Sequence, residues 1–250
     1  MMQRITSLLI WTGIILLITF WLPLLAVIRI FDRDPIHYRT GKWFRKLGFF
    51  ISKVNPNWNV KIEGGEEIDD RHPYVMVSNH LSNADIPVIS NLPWEMKWVA
   101  KKELFKLPVV GWMMNMSGDI SVDRSSSIKR VGVFKKCKYY LDRNISVIFF
   151  PEGTRSRSGK INRFAPGAFD LAIREQVPVL PIAIDGTQEC LPKKNWVFQP
   201  DVKVKMKILD PVSTEGLTTD DELQLLEQIR NAIADQVADW RGQSRDEVLG

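Results

Sequence analysis

From Ile5 to Ile28 the chain carries no charged residue, and Ile, Leu, Trp and Phe dominate the stretch. A run of this length crosses a bilayer core, which takes roughly 20 apolar residues. It is apolar on every face, unlike the core-facing stripe of a soluble helix. No Ala-x-Ala site follows it, and it is longer than the apolar centre of a cleaved leader, so we read it as a retained membrane segment. Pro23 leaves two geometries open, a full span and a bend that returns to the same leaflet.

Charge sets the orientation. Arg29, Arg33, Arg39, Lys42, Arg45 and Lys46 follow the run, whereas Arg4 and the terminal amine precede it. By the positive-inside rule the rest of the chain lies on the cytoplasmic side of the membrane, the plasma or inner membrane in a bacterium. Residues 39–54 mix these cations with Trp43, Phe44, Phe49, Phe50 and Ile51, a pattern suited to a helix in the headgroup layer or to one packed on the main domain. Residues 1–54 are thus expected to form a membrane helix plus an interfacial basic-aromatic helix, and residues 55–250 a single globular domain. A net charge of +5 fits an anionic membrane surface; the basic residues form no nucleic-acid motif, so nucleic acid is not expected as a partner. Cys137 and Cys190 are too few and too far apart for a zinc site or a disulfide framework and read as reduced thiols.

After Asn55 short β-rich runs alternate with helical ones. Val60–Glu63, Tyr74–Ser78, Lys97–Ala100, Ile120–Val122, Ser146–Phe150, Val177–Ile184 and Val202–Ile208 read as strands, and Ser125–Leu141 and Phe164–Glu175 as helices. Thr219-x-x-Glu222 reads as a capping box that opens a last helix, with Leu223, Leu226, Ile229, Ile233 and Val237 on its buried face. The alternation predicts an α/β domain.

His80 stands at the end of the second of these strands, and Asp85 follows five residues later. In a continuous strand the two side chains would lie roughly 16 Å apart, and in one helix they would diverge by about 140°, so a turn must join them. Pro87 places a helix start at Asp85–Pro87, which lets the carboxylate fold back onto the imidazole. A carboxylate on one ring nitrogen fixes the tautomer and leaves the other nitrogen free to take a proton. Another apolar strand ends in Pro151-Glu152-Gly153-Thr154-Arg155, where the guanidinium fork suits a phosphate and Gly153 permits close backbone approach. Lys101 adds a cation at a third strand end, and strand ends are where α/β sheets bind ligands. No Gly-x-Ser-x-Gly supplies a serine nucleophile, and no His cluster supplies a metal. Gly153…Gly159-Lys160 has one residue too many for a phosphate loop and Ile161 where Ser or Thr is required. A base without a protein nucleophile suggests that the substrate brings its own hydroxyl.

Asn79-His80-x-x-x-x-Asp85, Lys101-Lys-Glu-Leu-Phe through Asp119-Ile-Ser-Val-Asp-Arg124, Phe150-Pro-Glu-Gly-Thr-Arg155 and Val177-Pro-Val-Leu-Pro-Ile-Ala-Ile184 resemble, in order, the motifs of the glycerolipid acyltransferases, with the 1-acylglycerol-3-phosphate O-acyltransferases the nearest branch. The resemblance implies a mixed sheet flanked by helices behind the N-terminal membrane-embedded segment, with residues 55–250 as the catalytic acyltransferase domain. It implies that His80 deprotonates the sn-2 hydroxyl of lysophosphatidic acid for attack on acyl-CoA or acyl carrier protein, while Asp85 orients the histidine. Lys101 and Arg155 would hold the acceptor phosphate, with Glu152 positioning Arg155 or a glycerol hydroxyl, and Gly153 and Thr154 completing the binding loop. The product is phosphatidic acid, and no metal or bound cofactor is implied. Phe164-Ala-Pro-Gly167 departs from the family's Phe-Lys-x-Gly, so no ligand contact is assigned to that loop. Leu104, Phe105, Val109, Trp112, Met113 and Met114 read equally as acyl-chain tunnel or plain core. Two alternatives remain: acylation of another lyso-lipid acceptor, and a non-catalytic lipid-binding protein that keeps the fold.

Overall fold

The structure is a computed structural model that describes residues 2–66, 68, 69, 72–123, 127–190 and 196–250. Arg124 and the expected helix start at Ser125 lie outside these residues. The elements run α1 (Met2–Phe31), α2 (Tyr38–Val54), β1 (Trp58–Glu63), β2 (Val75–Ser78), α3 (Asp85–Ile89), β3 (Met96–Lys101), a 3-10 turn (Leu104–Lys106), α4 (Val110–Ser117), β4 (Ile120–Val122), α5 (Ser127–Leu141), β5 (Ser146–Phe149), α6 (Gly167–Glu175), β6 (Val179–Asp185), α7 (Thr187–Cys190), β7 (Val202–Ile208), a second 3-10 turn (Thr219–Asp221), α8 (Glu222–Arg241) and α9 (Arg245–Val248).

Seven strands form one sheet in the order β1-β7-β6-β2-β5-β3-β4. β6 and β7 pair antiparallel and every other pair is parallel, so the sheet is mixed. β2 is buried throughout and β6 nearly so, as befits strands covered on both faces. Alternation sorts their side chains. Val75, Val77, Val147, Val179 and Ala183 point to a core shared with α5, α6 and α8, and Met76, Ile148, Leu180, Ile182 and Ile184 to one shared with α3.

α8 buries Leu225, Leu226, Ile229, Ile233 and Val237. The expected cap is displaced by one residue: Thr218 and Asp221 form the box, and Leu223 consequently faces solvent. α1 remains helical through Pro23 and is, by length and composition, apolar enough to cross a membrane. One stripe of it, Ile10, Ile14, Trp21 and Leu25, is buried. Its N-terminal end is fastened to the domain: Gln3 donates to the Phe198 carbonyl (3.1 Å), Ser7 Oγ accepts the Phe198 N–H (3.0 Å) and Trp11 Nε1 donates to the Trp196 carbonyl (2.8 Å). At the other end Asp32 accepts the Thr40 N–H at 2.8 Å and so closes the turn into α2.

α2 is packed on the domain along part of its surface. It packs between α1 and α3, and its Arg45 is buried, with one terminal nitrogen donating to both Asp119 carboxylate oxygens at 2.9 and 2.8 Å. Beside that pair Lys97, fully buried, donates to Glu95 (2.8 Å) and to the Ser117 carbonyl (2.8 Å). Lys42, Lys46 and Lys53 instead lie over the Tyr38, Trp43 and Phe49 rings.

Candidate active site

β6, β2, β5 and β3 are adjacent and mutually parallel, so their C-terminal ends share one edge of the sheet. His80 follows β2, Glu152 and Arg155 follow β5, Lys101 closes β3 and Thr187 follows β6. Residues far apart in sequence thus meet where α/β folds bind ligands.

The required turn is present, and Asp85 opens α3. His80 Nδ1 lies 2.7 Å from Asp85 Oδ2. A carboxylate accepts, so Nδ1 carries the proton and Nε2 presents a lone pair. The same oxygen accepts the Leu81 and Ser82 N–H groups at 2.8 and 3.0 Å, which curls the loop around the carboxylate. Oδ1 accepts from the Thr187 hydroxyl, so a buried Asp85 has both oxygens engaged. The imidazole is mostly buried and stacks on Phe150 with centroids 4.0 Å apart, and Phe150 stacks in turn on Trp98.

The His80 backbone is held from both sides. Its N–H donates to Glu152 Oε1 at 2.6 Å, and its carbonyl accepts the Ser156 N–H at 2.8 Å. Glu152 Oε2 accepts the Asn162 N–H (3.0 Å) and side-chain amide (2.7 Å). Burial raises the Glu152 carboxyl above its usual range, opposed by these hydrogen bonds. Both Glu152 oxygens are thus committed to the fold, so the glutamate braces the histidine loop and does not pair with Arg155. Asn79 completes the frame by exchanging two hydrogen bonds with the Ile184 backbone (2.8 and 2.9 Å), which ties the end of β2 to β6.

Gly153 turns at φ 71°, in the left-handed region, with its N–H on the Phe150 carbonyl at 2.9 Å. The turn leaves Thr154 and Arg155 exposed. Arg155, Ser82, Asn83 and Ala84 line a cavity of about 330 Å³ that, apart from Arg45 and Ser90, is otherwise mostly apolar, walled by α1 (Trp11, Ile14, Ile18), α2 and α4. Lys101 is exposed and does not line it. Of the apolar residues that read equally as tunnel or core, Met113 lines the cavity, Met114 is buried, and Leu104 and Trp112 face solvent. The sequence offered no signal for Thr187, Asn162 or Ser156, which are ordinary polar residues outside the catalytic pair. Among the described residues no group of three His, Cys, Asp or Glu side chains converges on a metal position.

A histidine held by a carboxylate at a sheet edge, beside a largely apolar cavity lined at one point by a guanidinium, suits the class of proteins that transfer a group to a hydroxyl of an amphipathic substrate. The acyltransferase family model matches residues 59–185, about half of the chain, and spans both motif loops. The chain belongs to the acyltransferase family. It is 34% identical over 217 residues to human 1-acyl-sn-glycerol-3-phosphate acyltransferase alpha, covering 85% of this chain and 76% of that one. It is 32% identical over 221 residues to the chloroplastic 1-acyl-sn-glycerol-3-phosphate acyltransferase BAT2 of Brassica napus, of whose length it spans 63%. Its fold resembles the crystal structure of the 1-acyl-sn-glycerophosphate (LPA) acyltransferase PlsC from Thermotoga maritima, with a TM-score of 0.76, 28% identity and coverage of 94% and 96% of the two chains.

Proposed function

We propose that the protein acylates the sn-2 hydroxyl of 1-acylglycerol-3-phosphate with a fatty acyl group from acyl-CoA or acyl carrier protein, forming phosphatidic acid. The observation that carries this reading is the His80–Asp85 pair at 2.7 Å beside a cavity whose rim bears Arg155. His80 Nε2 takes the hydroxyl proton as the oxygen attacks the thioester carbonyl. The C–S bond breaks, and the departing thiolate takes the proton from His80, which restores the base. The thioester is already activated, so this route uses no metal or bound cofactor. Arg155 would hold the acceptor phosphate. The relatives named above act on such an acceptor by their names, which favours a phosphomonoester.

The same reading places α1 in one leaflet. Its two ends are hydrogen-bonded to a single body and one stripe is buried against it, which favours a helix lying along the domain with its outer face in lipid over a full span. The basic residues after α1 favour the cytoplasmic side.

The test is transfer of radiolabelled palmitate or oleate from acyl-CoA to lysophosphatidic acid by the purified protein, beside His80→Ala and a panel of other lysolipids. Phosphatidic acid from wild type and none from His80→Ala supports the reading. Faster turnover of a headgroup-bearing lysolipid would move the acceptor. An undiminished rate in His80→Ala would remove the base.

A further inference from the structure

Residues 101–112 place several large apolar side chains in solvent within a few residues of one another. Leu104, Leu107, Val110 and Trp112 are all exposed, Leu107 to 47% and Trp112 to 54%. Lys101, Lys102 and Lys106 stand among them against one acid, Glu103. In water such a segment would turn its apolar side chains inward.

The segment is held rigidly in this posture. Asn115 Nδ2 donates to the Phe105 and Gly111 carbonyls at 3.4 and 2.7 Å, fixing the 3-10 turn on α4. Gly111 makes that approach possible, since a Cβ there would stand 2.5 Å from the Phe105 carbonyl oxygen. Val109 sits at φ 66°, ψ −68°, with the Val110 N–H on the Pro108 carbonyl at 2.8 Å. This is the rare left-handed γ-turn, a strained conformation for a β-branched residue. Strain that leaves apolar side chains in solvent marks a surface built for a partner.

The neighbourhood identifies that partner. Met113, buried on α4, packs with Trp21 and Leu25 of α1 and Leu47 of α2, so the segment adjoins the apolar helix directly. The outer face of α1 exposes Leu9, Leu16 and Phe20. Lys106, which has no acidic partner among the described residues, adds positive charge to the same patch.

We propose that this segment is a second membrane-docking surface: Leu104, Leu107 and Trp112 enter the interfacial layer of the bilayer beside α1, with Lys106 on anionic headgroups. Val110 and Met113 belong to the cavity wall, so lipid contact here brings acyl chains directly against the cavity. The inference rests on the reading that α1 is bilayer-embedded, and the experiment separates the two.

Cys137 and Cys190 are buried, so Leu107→Cys supplies the accessible thiol for a nitrobenzoxadiazole label. The full chain is reconstituted into phosphatidylcholine–phosphatidylglycerol vesicles with or without brominated acyl chains. Parallel labels are placed at Leu16→Cys on α1 and at Glu215→Cys, near Gln176 at the N-terminal edge of β6. Bromolipid quenching at Leu107 comparable to that at Leu16, with none at Glu215, is the expected result. Quenching at Leu16 without quenching at Leu107 overturns the proposal alone, and absence at both overturns the membrane reading of α1 and the proposal with it. Self-quenching between labelled copies without lipid quenching assigns the patch to a second copy of the chain and overturns it too. In activity, Leu107→Asp combined with Trp112→Glu should lower turnover of vesicle-borne lysolipid about tenfold while sparing detergent-dispersed lysolipid. An equal loss in both settings would likewise count against it.

Discussion

Thr187 donates its hydroxyl hydrogen to Asp85 Oδ1, the carboxylate oxygen that His80 does not use, across 102 residues of sequence. Thr187 is fully buried and opens α7, just past the C-terminal end of the neighbouring parallel strand β6. It fixes the plane of the carboxylate, and through it the rotation of the imidazole. We expect Thr187→Val to lower kcat by roughly 10- to 100-fold, the usual weight of a group that orients a functional side chain. Both KM values should stay near wild type, and Thr187→Ser should restore most of kcat. A valine variant that turns over normally, or a serine variant as slow as valine, would show that the threonine only fills space.

Glu152 accepts hydrogen bonds on both oxygens, so Glu152→Gln must turn its amide NH2 toward either the His80 N–H or Asn162. One donor then faces another. The expected cost is about 1–3 kcal/mol of stability, read by thermal unfolding, with kcat falling and acceptor KM little changed. The carboxyl is raised by burial, so its contribution to stability is fully present below the ordinary carboxylate range and is lost as pH rises through the raised value. The glutamine variant should lack that part of the stability–pH profile.

Arg155 is exposed at the cavity rim and, among the described residues, forms no ion pair. Arg155→Ala should therefore leave unfolding unchanged. It should raise KM for lysophosphatidic acid about 10- to 100-fold, the weight of a charged hydrogen bond to phosphate. A lysolipid without a phosphomonoester should be nearly indifferent, and equal losses on both acceptors would dismiss Arg155 as the phosphate ligand.

Lys97 and Glu95 are buried together, and burial raises the Glu95 carboxyl even beside its lysine. Lys97→Met removes the cation and leaves the acid, which should cost about 3–5 kcal/mol. A raised acid destabilises as it ionises, so the loss should be larger at pH 8 than at pH 5. Glu95→Gln added to Lys97→Met should recover part of it, and a pH-independent loss would speak against this account.

What the sequence could convey is graded by distance along the chain. The His80–Asp85 turn was legible because the end of β2, the spacer and Pro87 in the first turn of α3 are close together in sequence. All seven strands were legible: β2, β5 and β6 from apolar runs, since central strands covered on both faces must be apolar on both, and β7 from its alternation, while β3 and the edge strands β1 and β4 showed as short β-rich runs. Thr187 was not, because its partner is 102 residues away and a threonine after a strand has many uses. Arg45 was counted among the headgroup cations, and only the pairing with Asp119, 74 residues on, shows that it is internal. The role of Glu152 depended likewise on Asn162, a residue without a motif. In residues 104–114 composition carries no information about sidedness: Met114 is core and Trp112 is surface, although both are large and apolar.

Trp11, Ile14 and Ile18 have one further implication. On the reading proposed above, the helix that would fasten the protein to its lipids is also a wall of the cavity beside the His80 loop, so anchor and enzyme would not be separable parts. Deleting residues 1–31 to obtain a soluble fragment would unroof this cavity and strip the cover from α2 and Phe198. Any attempt to engineer a cytosolic version must therefore repaint the outer face of α1 with polar residues and keep the helix.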